Sequence, residues 1–156
     1  MKKVSEPETV AEHAFRVVVL CLALAQTLGV DQEKLVKMAI IHDLGETSTG
    51  DIVVEKGKIV DKEKKIKKEK IEKNAIREIL WGFGEDYGVL FQEMIEGKSP
   101  EARAFWQIDK LEMAIQAYEY EKNQTVDLKE FIDNADMHIV DPILKNTINE
   151  LKRLRK

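Results

Sequence analysis

One cysteine in 156 residues leaves no disulfide framework to read. Cys21 lies inside an apolar run, which points to a reduced compartment. Proline is scarce as well: Pro7, Pro100 and Pro142 are the only three, and each precedes a helix-like stretch. No alternating apolar and polar pattern persists long enough for a strand, and there is no internal repeat or linker. The longest apolar run, Val17 to Ala25, has nine residues, too few to span a bilayer. Glu6, Glu8 and Glu12 crowd the segment before it, unlike the positive region that opens a signal peptide. Basic excess is missing too, with 25 Lys and Arg against 29 Asp and Glu and a net charge of −4, so nothing argues for a nucleic-acid polymer as partner. These absences leave an all-α, cytoplasmic protein with no membrane attachment as the expectation.

The length fits a single domain over residues 1–156 with a sizeable core, and 44% of the chain is hydrophobic. The 35% charged fraction, much of it Lys and Glu, hints at ion-pair networks of thermophilic type. Thr9-Val-Ala-Glu12 has the spacing of a capping box, so a helix should start there and run to Leu28, with Gly29 as its stop. Its apolar stripe reads Val10, His13, Val17, Leu20, Leu24 and Leu28, which turns His13 inward. Asp31 caps a second helix that reaches His42 or Leu44, where Gly45 breaks it; Glu46 to Asp51 should be loop. A loop to about Asp61 precedes a highly charged helix to Trp81 with a narrow apolar edge of Ile66, Ala75, Ile76, Ile79 and Leu80. That segment reads either as a solvated face or as a mobile cover or cationic attraction for an anionic substrate. A shorter helix covers Val89 to Glu96. Ser99-Pro100 then opens a helix to about Lys122 bearing Ala102, Phe105, Trp106, Asp109, Met113 and Ala117 on one face. Leu128, Phe131 and Ile132 mark another helix, and Asp141-Pro142 starts the last.

Three inward-facing places in this scheme are polar. His13 alone reads as an ordinary core histidine, and His42-Asp43 alone as a helix-end cap. Asp109 in an apolar stripe needs a partner, because an unpaired buried carboxylate costs several kcal/mol. Taken together, two His and two Asp make an N₂O₂ set suited to a divalent transition metal. Such a set leaves coordination positions open, as catalysis requires. Adjacent residues on a helix diverge by about 100°, so His42 and Asp43 can share an ion only where the helix ends.

With those residues in place, the chain resembles a known family. His13, His42-Asp43 and Asp109 match the H…HD…D signature of the HD-domain metal-dependent phosphohydrolases. Glu8-Thr-Val-Ala-Glu-His13, Ile41-His-Asp-Leu-Gly-Glu46 with Thr49-Gly-Asp-Ile52, and Gln107-Ile-Asp-Lys-Leu-Glu-Met113 with Gln116-Ala-Tyr-Glu-Tyr120 look like its 5′-deoxynucleotidase branch. The resemblance implies a compact helical bundle around a central metal site, usually a homodimer. It further implies removal of the 5′-phosphate from deoxynucleoside monophosphates with Co²⁺, Mn²⁺ or a similar ion, Zn²⁺, Ni²⁺ and Fe²⁺ being acceptable too. By residue, His13, His42, Asp43 and Asp109 match the metal ligands, and Glu46 and Asp51 match acidic catalytic and substrate-contacting residues. Glu46 suits orienting or deprotonating a water, or protonating the leaving 5′-oxygen, and Asp51 suits the sugar hydroxyls. Family members usually carry, ahead of the segment equivalent to Lys3-Val4, an Arg near a Trp that contacts the phosphate. This chain starts after that point, and Arg16 and Lys110 are the candidate substitutes. Competing readings are an HD phosphohydrolase of cyclic nucleotides, alarmones or nucleoside triphosphates, or a silent metal- or nucleotide-binding scaffold.

Overall fold

The computed structural model describes residues 4–46 and 62–155. Among them are seven helices and no strand: α1 (Val10–Leu28), α2 (Gln32–Ile41), α3 (Lys62–Ile79), α4 (Tyr87–Glu96), α5 (Pro100–Asn123), α6 (Lys129–His138) and α7 (Pro142–Leu154). The loops expected between Thr47 and Asp61, and with them Asp51, lie outside the described residues.

Local sequence sets most of the boundaries. The Thr9 hydroxyl accepts from the Glu12 N–H while the Glu12 carboxylate accepts from the Thr9 N–H, a reciprocal cap that satisfies two otherwise orphaned donors. Gly29, at φ +67°, ends α1 in a left-handed turn that a side chain would disfavour. The Asp31, Ser99 and Asp141 side chains cap α2, α5 and α7, and proline occupies the first turn of the last two.

Helix α5 is the centre of the bundle. It packs against α1, α2, α4, α6 and α7, and its 24 residues bury Ala102, Phe105, Ile108, Leu111 and Ala114 along one side. Phe91, Leu35, Met38, Ile76 and Ile132 fill in around them, each with 2% or less of its surface exposed. Burying a side chain of that size stabilises the fold by roughly 1.5–3 kcal/mol. Burial also pushes the Cys21 thiol up to about 12, so it serves as an inert core group. By length and apolarity α1 could cross a bilayer. Here it packs on α2 and α5, and carries His13 to them.

Two expectations about faces need correcting. The buried line of α1 is Val17, Cys21 and Ala25, while Val10 stays in solvent. On α3 the buried residues are Glu72, Ala75 and Ile76, and Ile66 and Ile79 are exposed. Periodicity identifies a face, but not how far the neighbouring helices extend along it. Surface ion pairs are plentiful, such as Lys37 with Glu33 and Glu85, and Arg155 with Glu121 and Asp127. Exposed pairs of this kind are screened by solvent and contribute little to stability.

One glycine has a steric role. A Cβ on Gly45 would lie 2.6 Å from Glu72 Cβ and 2.8 Å from Glu72 Cα, so α3 closes onto the turn after α2 only because Gly45 has no side chain. Gly45→Ala should therefore destabilise the protein by roughly 1–3 kcal/mol through overpacking, measured as a lowered urea midpoint at unchanged slope.

Candidate metal centre

Three helix segments bring the four candidate ligands to one point. His13 comes from the first turn of α1, Asp109 from the middle of α5, and His42 and Asp43 from the end of α2. Helix α2 stops at Ile41, and the chain continues as a turn in which the Leu44 N–H donates to the Ile41 carbonyl and the Glu46 N–H to the Asp43 carbonyl. This ending lets two neighbouring side chains face one centre. Ligand atoms of His13, His42 and Asp109 all lie within 4.8 Å of one another. Asp43 Oδ2 is 3.0 Å from His42 Nε2 and 3.9 Å from His13 Nε2, and Asp109 Oδ1 is 3.3 Å from His13 Nε2.

Hydrogen bonding fixes what each imidazole presents. The His42 Nδ1–H donates to the Ala39 carbonyl at 2.7 Å, which leaves Nε2 as a lone pair. That nitrogen is buried without a hydrogen-bond partner, and it faces a carboxylate oxygen. Two lone pairs aimed at each other inside an apolar bundle fit a cation between them. The His13 Nδ1–H donates to Glu112 Oε2 at 2.7 Å, so its Nε2 likewise faces the centre. Phe105 and His13 pack on the His42 ring, each with ring centroids 5.3 Å away, and restrict its rotation. Two imidazole nitrogens and two carboxylates fit a divalent metal of the first transition row.

The charges around the centre are strongly coupled. Burial by itself would lower the His13 pKa, but hydrogen bonds with the Asp109 and Glu112 carboxylates push it up to about 10. Burial would raise Asp109, yet the His13 hydrogen bond and neighbouring Lys110 bring it down to about 2. Lys110 Nζ donates to Asp109 Oδ2 at 2.9 Å, which places this candidate phosphate contact beside the centre. Arg16, the other candidate, has Nε 2.6 Å from Glu112 Oε1 and Nη1 2.9 Å from Glu119 Oε2. Glu46, three residues past Asp43, accepts from Lys68 Nζ at 2.8 Å. Lys68 also lies 3.1 Å from Glu72, the residue packed on Gly45.

Sequence reasoning assigned no role to Glu112 or Lys68. Glu112 follows Asp109 by three residues and so shares its face of α5, a signal that was open to reading. Lys68 gave none, because it is one of many lysines on α3 and only the fold singles it out. Half-buried Glu8 also turns toward Glu112. Burial and then the Glu112 charge raise its pKa, and its N–H donates to the Tyr120 hydroxyl at 2.6 Å.

A divalent ion must displace the His13 proton, since a protonated imidazole is no ligand. Below the His13 pKa of about 10, the deprotonated fraction falls as pH falls. Metal affinity should therefore weaken with acidification, by about tenfold per pH unit for one displaced proton. Co²⁺ titrations of the protein at pH 6.5, 7.5 and 8.5 check the trend, and proton release on binding checks its origin.

Comparison with known proteins agrees with this geometry. A profile of the HD domain matches residues 1–152. The chain is 36% identical to the 5′-deoxynucleotidase HDDC2 of Dictyostelium discoideum, over 96% of this chain and 85% of that protein. It is 30% identical to the 5′-deoxynucleotidase hdd1 of Schizosaccharomyces pombe, over 98% of this chain and 79% of the other. Among solved structures, a conserved hypothetical protein from Pyrococcus furiosus superposes with a TM-score of 0.71 at 36% identity, covering 96% of this chain and 86% of its own. The chain belongs to the HD-domain family, in the branch that includes these 5′-deoxynucleotidases.

Proposed function

We propose that this protein removes the 5′-phosphate from deoxynucleoside 5′-monophosphates, giving nucleoside and orthophosphate, and that it needs a divalent metal to do so. The observation that carries the reading is the convergence of His13, His42, Asp43 and Asp109 with Glu46 one short turn beyond. Relatives named as 5′-deoxynucleotidases support the choice of substrate. A divalent ion held by the four ligands supplies Lewis acidity, polarising a phosphoryl oxygen and making a nearby water easier to deprotonate.

The chain's own residues do the rest. In hydrolysis a water oxygen bonds to phosphorus, the bond from phosphorus to the 5′-oxygen breaks, and that oxygen takes up a proton. Glu46 is the candidate to take the proton from the attacking water or to supply the one for the leaving oxygen. Its ion pair with Lys68 holds the carboxylate in place through α3. Lys110, beside Asp109, offers the cation for the phosphate, whereas the other candidate, Arg16, is engaged by Glu112 and Glu119. Asp51 is proposed to meet the sugar hydroxyls. Co²⁺ or Mn²⁺ is the proposed activating ion, and residues 1–156 are read as one cytoplasmic HD domain.

A homodimer is part of the same reading. One side of α1 leaves Phe15, Val19 and Leu22 at least 46% exposed, and such an apolar stripe suits a second copy of the chain. Leu22→Glu should then shift the light-scattering mass toward that of one chain.

Phosphate release from a panel of nucleoside monophosphates with Co²⁺ or Mn²⁺ tests the activity. Asp109→Ala should abolish turnover, and Glu46→Gln should lower kcat by roughly 10²–10⁴. Release from the wild type no higher than from Asp109→Ala would defeat the reading. Turnover of a nucleoside triphosphate, alarmone or cyclic nucleotide to pyrophosphate or a nucleoside monophosphate would instead indicate a different phosphohydrolase.

A further inference from the structure

We infer that Arg16 and Glu112 are positioning residues that fix the metal-facing tautomer of His13, acting as one charge chain across the α1–α5 contact. The inference rests on the metal-centre reading above and concerns a different set of side chains. Glu112 is 1% exposed and lies on α5, whereas His13 and Arg16 lie three residues apart on α1. From that one face of α1, the two side chains take opposite oxygens of the same carboxylate: His13 Nδ1 at 2.7 Å from Oε2 and Arg16 Nε at 2.6 Å from Oε1. A carboxylate only accepts, so Nδ1 must carry the hydrogen, and Nε2 is the nitrogen that offers a lone pair once its own proton is displaced. That nitrogen faces Asp109 and Asp43.

Arg16 pairs with the second oxygen of Glu112 and holds the carboxylate in register. Its Nη1 donates onward to Glu119 Oε2 at 2.9 Å, so the chain runs from the surface to the centre. The two histidines thus reach the same state by different means. His42 gives its Nδ1–H to a backbone carbonyl that no substitution removes, and His13 gives its own to a side chain that needs a counter-charge. Partners that orient a ligating imidazole typically govern metal affinity by 10–100-fold. With both ends of its guanidinium engaged by carboxylates, Arg16 acts through Glu112 and not on the phosphate.

Co²⁺ affinity of the metal-stripped protein, followed by calorimetry with circular dichroism to confirm folding, separates the possibilities. Glu112→Gln should weaken Co²⁺ binding about 10–100-fold. Arg16→Met, at a side chain 30% exposed and so tolerant of change, should weaken it by a smaller factor of about 3–10, and Arg16→Lys should recover part of the loss. At saturating Co²⁺, the KM of Arg16→Met for a deoxynucleoside monophosphate should stay within about twofold of wild type. Nitrogen-15 spectra of the Zn²⁺-loaded wild type should show His13 protonated at Nδ1. Unchanged Co²⁺ affinity in Arg16→Met with a raised KM would overturn the inference in favour of a phosphate contact. Unchanged affinity in a folded Glu112→Gln would overturn it outright. A wild type that binds no Co²⁺ would instead sink the metal-centre reading and the inference with it.

Discussion

Two imidazole nitrogens and two carboxylates facing one point inside an apolar bundle repel each other unless positive charge lies among them. That electrostatic requirement organises the structure. It explains why α2 ends where it does, since only a helix terminus lets His42 and Asp43 face the same way. It explains why each imidazole gives its Nδ1 hydrogen to an acceptor outside the centre, Ala39 for one and Glu112 for the other. It also explains the opposite pKa directions of His13 and Asp109, in which the imidazole holds the positive charge that its carboxylate neighbours demand.

The surrounding fold turns this local arrangement into a rigid one. Helix α5 carries Asp109 and Glu112 while packing against five other helices, which anchors both carboxylates within the bundle. Helix α3 packs on the turn that follows Asp43. Because Gly45 has no side chain, Glu72 can press against the turn, and Lys68, one helical turn earlier on α3, can hold Glu46. A bare carboxylate three residues beyond the ligands would be free to sample several rotamers. Tied to α3 through Lys68, it samples fewer of them.

Much of this was legible in the sequence because the signals are local. Thr9 with Glu12, Asp31, Ser99-Pro100 and Asp141-Pro142 each encode a helix start within four residues, and those starts fall where they were expected. The N₂O₂ set was legible as well, since His13 and Asp109 interrupt apolar stripes. What escaped depends on the arrangement of whole helices. Val10, Ile66 and Ile79 have the right periodicity for burial, but no neighbour among the described residues covers them. Arg16 read as a candidate phosphate contact until α5 brought Glu112 against it. Lys68 looked like any other lysine on a solvated face until α3 closed onto Gly45.

The most direct test of the central claim is an anomalous-diffraction map at the cobalt edge from crystals of the Co²⁺-loaded protein. The account predicts one dominant peak about 2.0–2.2 Å from His13 Nε2, His42 Nε2 and oxygens of Asp43 and Asp109. A dominant peak elsewhere, or a centre that stays without cobalt while Lys110 remains paired with Asp109, would contradict it.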